Sequence, residues 1–337
     1  MRNYMIGLTA LLIALLCTAA LLLYGTPGKE GPAYMLRYAD NQPLDYPTVQ
    51  AAVYFSDLVY EKTGGNVKIN VYCNEELGDE GSVIRQVQFG GIDMARVSVA
   101  QLIVHQPQMG VLTLPYLYRD DNHMWQVLEG DIGNSFLGPI GDSGLIALSW
   151  YDAGERNFYT TKKVETLSDL QGLTIRVQEA DYMEEMIRAL GAIPESLPYS
   201  MVYSRLSTGA VDGAENNWPS YVAMKHYQAA KYVLMDGHVR IPEMQVISSK
   251  AADELPEAYL EIIRECALES ARYERELWTE REREAKELAV KEGTIITELS
   301  DGERKKFQDA CYPLYKIYSD GNLDLVHEII GLNSSSR

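Results

Sequence analysis

Cysteine is scarce in this chain of 337 residues, and what there is forms no pattern. Cys17 falls in an apolar N-terminal run, while Cys73, Cys266 and Cys311 stand far apart. Three cysteines cannot all pair, and no C-x-x-C spacing is present. A disulfide framework and a zinc site are therefore unsupported, and the three read as small core residues with at most one bridge. Positive charge is also short. Thirty Lys and Arg face 48 Asp and Glu, for a net charge of −18 and a pI near 4.7. No basic stripe exists to release counterions, which argues against a nucleic-acid-binding role. A P-loop and a G-x-G-x-x-G dinucleotide turn are both missing. His327-Glu-Ile-Ile-Gly331 lacks the second histidine of a zinc-protease helix, and Gly141-Asp-Ser-Gly144 resembles a serine nucleophile segment with no matching histidine segment. No cofactor or metal is expected.

What is present is a globular balance, 46% hydrophobic and 23% charged, with length enough for two lobes. Arg2 precedes an apolar run from about Met5 to Leu23. The run exceeds the ~7–15-residue core of a typical signal peptide and is about long enough to cross a bilayer. Gly25-Thr-Pro-Gly-Lys is a poor cleavage site, and Ala14-Leu-Leu-Cys lacks the small residue expected before a lipidated cysteine. Residues 1–25 therefore read as a signal peptide or a retained signal anchor, and both stay open. Either places the rest outside the cytoplasmic membrane. Residues 26–33 form a Gly/Pro linker.

Beyond it, hydrophobic periods of two and of 3.6 residues alternate. Strands are expected at 35–39, 67–72 and near 92–98. Between them lie a helix from Thr48, as its cap, through about Thr63 and another over Glu80 to Gln88. The same alternation recurs with strands at 145–151, 158–160, 173–177, 232–235 and 244–248, and helices at 181–190 and 199–208. This order predicts α/β architecture with largely parallel strands. A long helix opens at Ala252-Asp-Glu-Leu-Pro256 and runs to about Glu292. At 1.5 Å per residue it is about 50 Å long, enough to bridge two lobes. Its alternating charges from Tyr273 to Glu287 mark a solvated face. The tail, 332–337, is expected to be disordered.

Two segments carry the chemistry: Gln171-Gly-Leu-Thr-Ile-Arg-Val-Gln178 and Val211-Asp-Gly-Ala-Glu-Asn-Asn-Trp-Pro-Ser-Tyr221. The first places Arg176 in an apolar strand, where a guanidinium is costly unless an anion meets it. A bound carboxylate and a structural salt bridge are the two readings. Together the segments resemble the solute-binding proteins of tripartite ATP-independent periplasmic (TRAP) transporters, the DctP family. Leu170 to Val177 matches its "L-x-G-L-x-I-R-V" and Val211 to Asn216 its "V-D-G-x-E-N". The resemblance extends from about Tyr34 to Ile330.

The resemblance implies a two-lobe periplasmic-binding-protein-like fold with a long helix bridging both lobes. Lobe I takes 34–153 plus 242–280, and lobe II takes 154–241 plus 281–331. It implies that Arg176 clamps a ligand carboxylate, with Asn216 beside it, a second arginine at Arg156 and an aromatic at Tyr199. Glu179 is open between ligand hydroxyls and Arg176 itself. The first lobe offers Asn41, Gln42, Glu80, Arg96 and Ser98 at the carboxyl ends of strands, where open α/β sheets bind small molecules. Such amides, carboxylates and hydroxyls suit a polyhydroxylated acid, although Arg96 and Glu80 taken alone read equally as an internal ion pair. Further matches at 41–48, 96–98, 216–221 and 237–243 resemble a uronate-binding branch, which often has histidine where Tyr46 stands. The expected protein is an exported, monomeric receptor that hands a hexuronate to TRAP permease subunits and catalyses nothing. The rivals are a receptor for another organic acid, a ligand-sensing receptor and a sugar-acid enzyme.

Overall fold

The computed structural model describes residues 31–332, so the apolar N-terminal run, Cys17, most of the linker and the tail lie outside the described residues. In chain order the strands are β1 (Tyr34–Ala39), β2 (Val67–Tyr72), β3 (Met94–Ser98), β4 (Gly138–Pro139), β5 (Leu145–Tyr151), β6 (Glu155–Thr160), β7 (Thr174–Val177), β8 (Ile193–Ser196), β9 (Gly213–Asn216), β10 (Tyr232–Arg240), β11 (Glu243–Ser248) and β12 (Ile295–Glu298). They form two six-stranded sheets, ordered β2-β1-β3-β11-β5-β4 and β12-β10-β6-β9-β7-β8.

The expectation of largely parallel strands is only half right. β1 is parallel to β2 and β3, and β7 to β8 and β9. However, β11 is antiparallel to β3 and β5, and β6 is antiparallel to β9 and β10. The cause is the way the chain changes sheets. β5 leaves the first sheet and becomes β6 of the second after residues 152–154, and β10 returns as β11 after 241–242. A strand that leaves and one that comes back across the same gap run in opposite directions. At the first crossover Gly154 has φ +62°, and a Cβ there would lie 2.9 Å from the Trp278 indole nitrogen. The chain thus passes flush against the long helix, where only glycine fits.

That helix starts later than expected. A short helix, Ser249–Glu254, precedes it, Leu255-Pro256 breaks the run, and the long helix spans Glu257–Lys291, 35 residues. Proline removes the backbone donor and so ends one helix and opens the next. Leu260, Ile263, Cys266 and Ala267 pack with Phe55, Val59 and Ile69 of the first half, whereas Ala285 and Ala289 pack with Tyr159, Val211 and Trp218 of the second. One helix therefore buries its apolar stripe on both sheets. Each large side chain fully buried this way contributes about 1.5–3 kcal/mol. The opposite face is solvated, with exposed pairs such as Arg283 with Glu287.

The helix Pro47–Lys62 begins with Pro47 in its first turn, and its N-cap residue is Tyr46, not Thr48. The Thr48 hydroxyl instead donates to Asp40 Oδ2 at 2.8 Å. A third apolar cluster joins β3 and residues 109–128 to Ile175, Met186 and the C-terminal helices Asp301–Tyr318 and Leu323–Gly331. Cys73, Cys266 and Cys311 are buried and unbridged.

Candidate functional site

Between the sheets lies a polar cavity of about 500 Å³, its solvent mouth included. From the second sheet's side it is walled by Arg156, Arg176, Glu179, Tyr199 and Asn216, and from the first by Asn41, Gln42, Glu80 and Arg96. These are nine of the ten expected site residues. Ser98 is not in the wall. Its backbone N–H donates to Glu80 Oε1 at 2.5 Å and its hydroxyl accepts from Gln178 at 3.4 Å. It therefore positions Glu80 and links the two sides.

Arg176 sits on β7 between β8 and β9, paired in register with Glu195 and Ala214, and is 2% exposed. Gly213 lets β9 pack closely on its other neighbour, β6, since a Cβ there would come within 2.7 Å of the Tyr159 carbonyl oxygen. Arg176 Nε and Nη2 both donate to the Leu197 carbonyl oxygen, at 3.0 and 2.6 Å. No carboxylate pairs with Arg176 among the described residues. Glu179, the partner weighed for it, is exposed at the rim and makes no ion pair with it. Burial accordingly pulls the Arg176 guanidinium below the usual arginine range. Its Nη1 edge is left to bind an anion.

The other two arginines are already neutralised. Arg96 Nη2 meets Asp40 at 2.7 Å, its Nη1 meets Glu243 at 3.0 Å, and it also bonds Asn41. The internal pairing weighed for Arg96 is therefore real, but with Asp40 and Glu243 in place of Glu80. Burial opposes the Arg96 charge, and the two carboxylates outweigh it and hold the pKa above the ordinary value. Asp40 is fixed in turn by Thr48 and by the Gln42 backbone N–H. Arg156 forms a fork with the fully buried Glu215, Nε to Oε2 at 2.5 Å and Nη2 to Oε1 at 2.8 Å. Its Nη1 donates to Asn216 Oδ1 at 2.8 Å, as does the Asn217 backbone N–H at 2.9 Å, which leaves Asn216 Nδ2 for a further acceptor. Arg156 thus acts on the cavity chiefly by orienting Asn216.

Sequence reasoning missed Glu75, Gln101, Gln178, Pro198, Asn217, Ser220 and Glu243 in the wall, and Glu215 behind it. Glu215 stands inside the V-D-G-x-E-N motif, on the strand next to that of Arg156, so a carboxylate within the matched motif was the available signal. Tyr46 is not in the wall. Its ring packs edge-on to Trp278 and its hydroxyl shares a hydrogen bond of 2.9 Å with Ser220, which is. His226 and His238 also lie outside the wall. Burial pushes His226 down to about 3, so it is a neutral partner of the Tyr159 hydroxyl.

His238 continues the Arg156–Glu215 pair into the core. Its Nδ1 lies 2.8 Å from Asp236 and its Nε2 3.4 Å from Glu215. Burial works against the imidazolium, but the two carboxylates prevail and push His238 up to about 9. A raised folded pKa stabilises fully below the ordinary value of 6.5 and less as pH rises through 9. Thermal melts should show His238→Gln less stable than wild type by about 1–3 kcal/mol at pH 6, with the gap narrowing by pH 10. A gap independent of pH would mean that His238 is neutral in the fold.

The model for bacterial extracellular solute-binding protein family 7, DctP, matches residues 38–320. A solute-binding protein of Chromohalobacter salexigens is 35% identical over 274 residues, 81% of each chain. A TRAP periplasmic solute-binding protein from Xanthobacter autotrophicus Py2, solved with bound β-D-galacturonate, superposes with a TM-score of 0.86 at 37% identity, covering 88% of this chain and 100% of that one. Another from Pseudomonas putida F1, with bound D-glucuronate, gives 0.87 at 31% identity, covering 89% and 98%. The two-sheet fold, the bridging helix and the two motif segments agree with these matches: the chain belongs to the DctP family of TRAP transporter solute-binding proteins.

Proposed function

We propose that this protein binds a hexuronate, such as galacturonate or glucuronate, between its two halves and delivers it to TRAP permease subunits in the membrane. One observation supports this above the rest: Arg176 is buried, faces a polar cavity and has no carboxylate of its own among the described residues. The ligand carboxylate completes that charge, with Asn216 Nδ2 as a further donor. The hydroxyls meet Asn41, Gln42, Glu80, Gln178 and Glu179, and Tyr199 supplies an aromatic wall. The related structures with bound uronates support the same ligand class.

Residues 34–153 plus 242–280 would move as one lobe and 154–241 plus 281–331 as the other, hinged near Gly154 and Pro242. Contacts from Gln178 to Ser98 and from Ser220 to Tyr46 would hold the closed form. The N-terminal run would carry the chain across the cytoplasmic membrane or tether it to the outer face. The family is one of transport receptors, and no bond-breaking role is assigned to any residue here.

A thermal-shift screen against sugar acids tests this. A ligand at 100 times its dissociation constant adds about 2.7 kcal/mol, which raises the melting temperature by on the order of 5 °C. Galacturonate or glucuronate should give such a shift and be recovered with unchanged mass. A screen in which no sugar acid moves the transition refutes the reading, and a changed mass would favour an enzyme.

A further inference from the structure

We propose that the cavity accepts one carboxylate and repels a second, so that it takes hexuronates and aldonates but refuses the corresponding hexarates and short dicarboxylates. This rests on the cavity being a sugar-acid site. Three guanidiniums line it, and two are already matched: Arg96 by Asp40 and Glu243, Arg156 by Glu215. Only Arg176 is left for a ligand anion. The rest of the wall carries Glu75, Glu80, Glu179 and Glu243. A second carboxylate would find no uncommitted cation and would face these carboxylates across a few ångströms, a like-charge juxtaposition.

The unpaired acceptors point the same way. Gln42 Oε1 and Glu75 Oε1 are buried, and neither has a hydrogen-bond partner among the described residues. Both residues line the cavity. An acceptor needs an N–H or O–H, which a sugar hydroxyl provides and a carboxylate does not.

The test compares acids of matched shape by calorimetry on the full chain. Galactonate and galactarate share an open six-carbon skeleton and differ only at C6, a hydroxymethyl against a carboxylate; galacturonate and succinate are run alongside. The expected result is that galactonate or galacturonate binds at least about 100-fold more tightly than galactarate and succinate. The Glu80→Gln/Glu243→Gln variant should narrow that ratio at least tenfold, because each glutamine keeps an acceptor oxygen and removes the charge. Glu179→Gln, at the exposed rim where folding is not at stake, should narrow it by a smaller factor. The proposal is overturned if wild type holds galactarate or succinate within tenfold of the mono-acids, or if both variants leave the ratio unchanged. A wild type that binds none of these acids overturns the sugar-acid reading itself, whereas binding of galacturonate and galactarate alike overturns only the charge selection.

Discussion

Arg176→Ala should weaken hexuronate binding by about 3–5 kcal/mol, two to four orders of magnitude in Kd. The reasoning is electrostatic. In the wild type the ligand carboxylate meets a guanidinium that has already been stripped of water and that holds only a backbone carbonyl, that of Leu197. Without it, the carboxylate enters a cavity whose wall bears four glutamates and two arginines matched to other carboxylates. Arg176→Lys should fail nearly as badly. A single ammonium cannot keep the Leu197 contact and also present two parallel donors to a carboxylate. The ligand-free variants should melt close to wild type, because alanine removes a charge that the fold does not pair. Calorimetry with galacturonate measures the loss, and wild-type affinity in either variant would remove Arg176 from the site.

Glu215→Ala should be the most damaging change to stability itself, at about 3–5 kcal/mol. It strands Arg156 in the core, where Glu215 is now wholly buried and bound through both oxygens. Burial raises the Glu215 pKa, but Arg156 more than reverses this and holds it down to about 2. A carboxylate depressed in this way stabilises above its ordinary value of 4.5 and loses that contribution as pH falls toward 2. The difference between wild type and variant in denaturant melts should therefore be large at pH 7 and shrink toward pH 2. Adding Arg156→Met should restore much of the loss, since an uncharged side chain leaves nothing unpaired. If Glu215→Ala alone melts like wild type, the fork is not a structural element.

The two predictions also mark where the sequence could be read and where it could not. Arg176 was legible because a charge in a run of apolar β-formers is locally anomalous. Most of the helix periods and the strands with clean alternation were legible for similar reasons of local pattern. What escaped was nonlocal. β9 reads Gly-Ala-Glu-Asn, with no alternation and little β-propensity, and is a strand only because β6 and β7 flank it. Nothing near Arg96 in the chain announces that Asp40 and Glu243, 56 and 147 residues away, will neutralise it. The antiparallel strands were missed because direction is set by which sheet the chain has just left. Thr48 resembled a cap because proline follows the true cap position and hides it.

The position of β11 has a consequence for biosynthesis. It lies between β3 and β5, yet it leaves the ribosome only after almost all of the second sheet has been made. A nascent chain stopped at residue 240 holds two separate fragments, β2-β1-β3 and β5-β4, with a missing plank between them. The first sheet can therefore close only after residue 248 has been made, whereas five of the six strands of the second, β6 to β10, lie in one unbroken stretch, 155–240, and can pair before it.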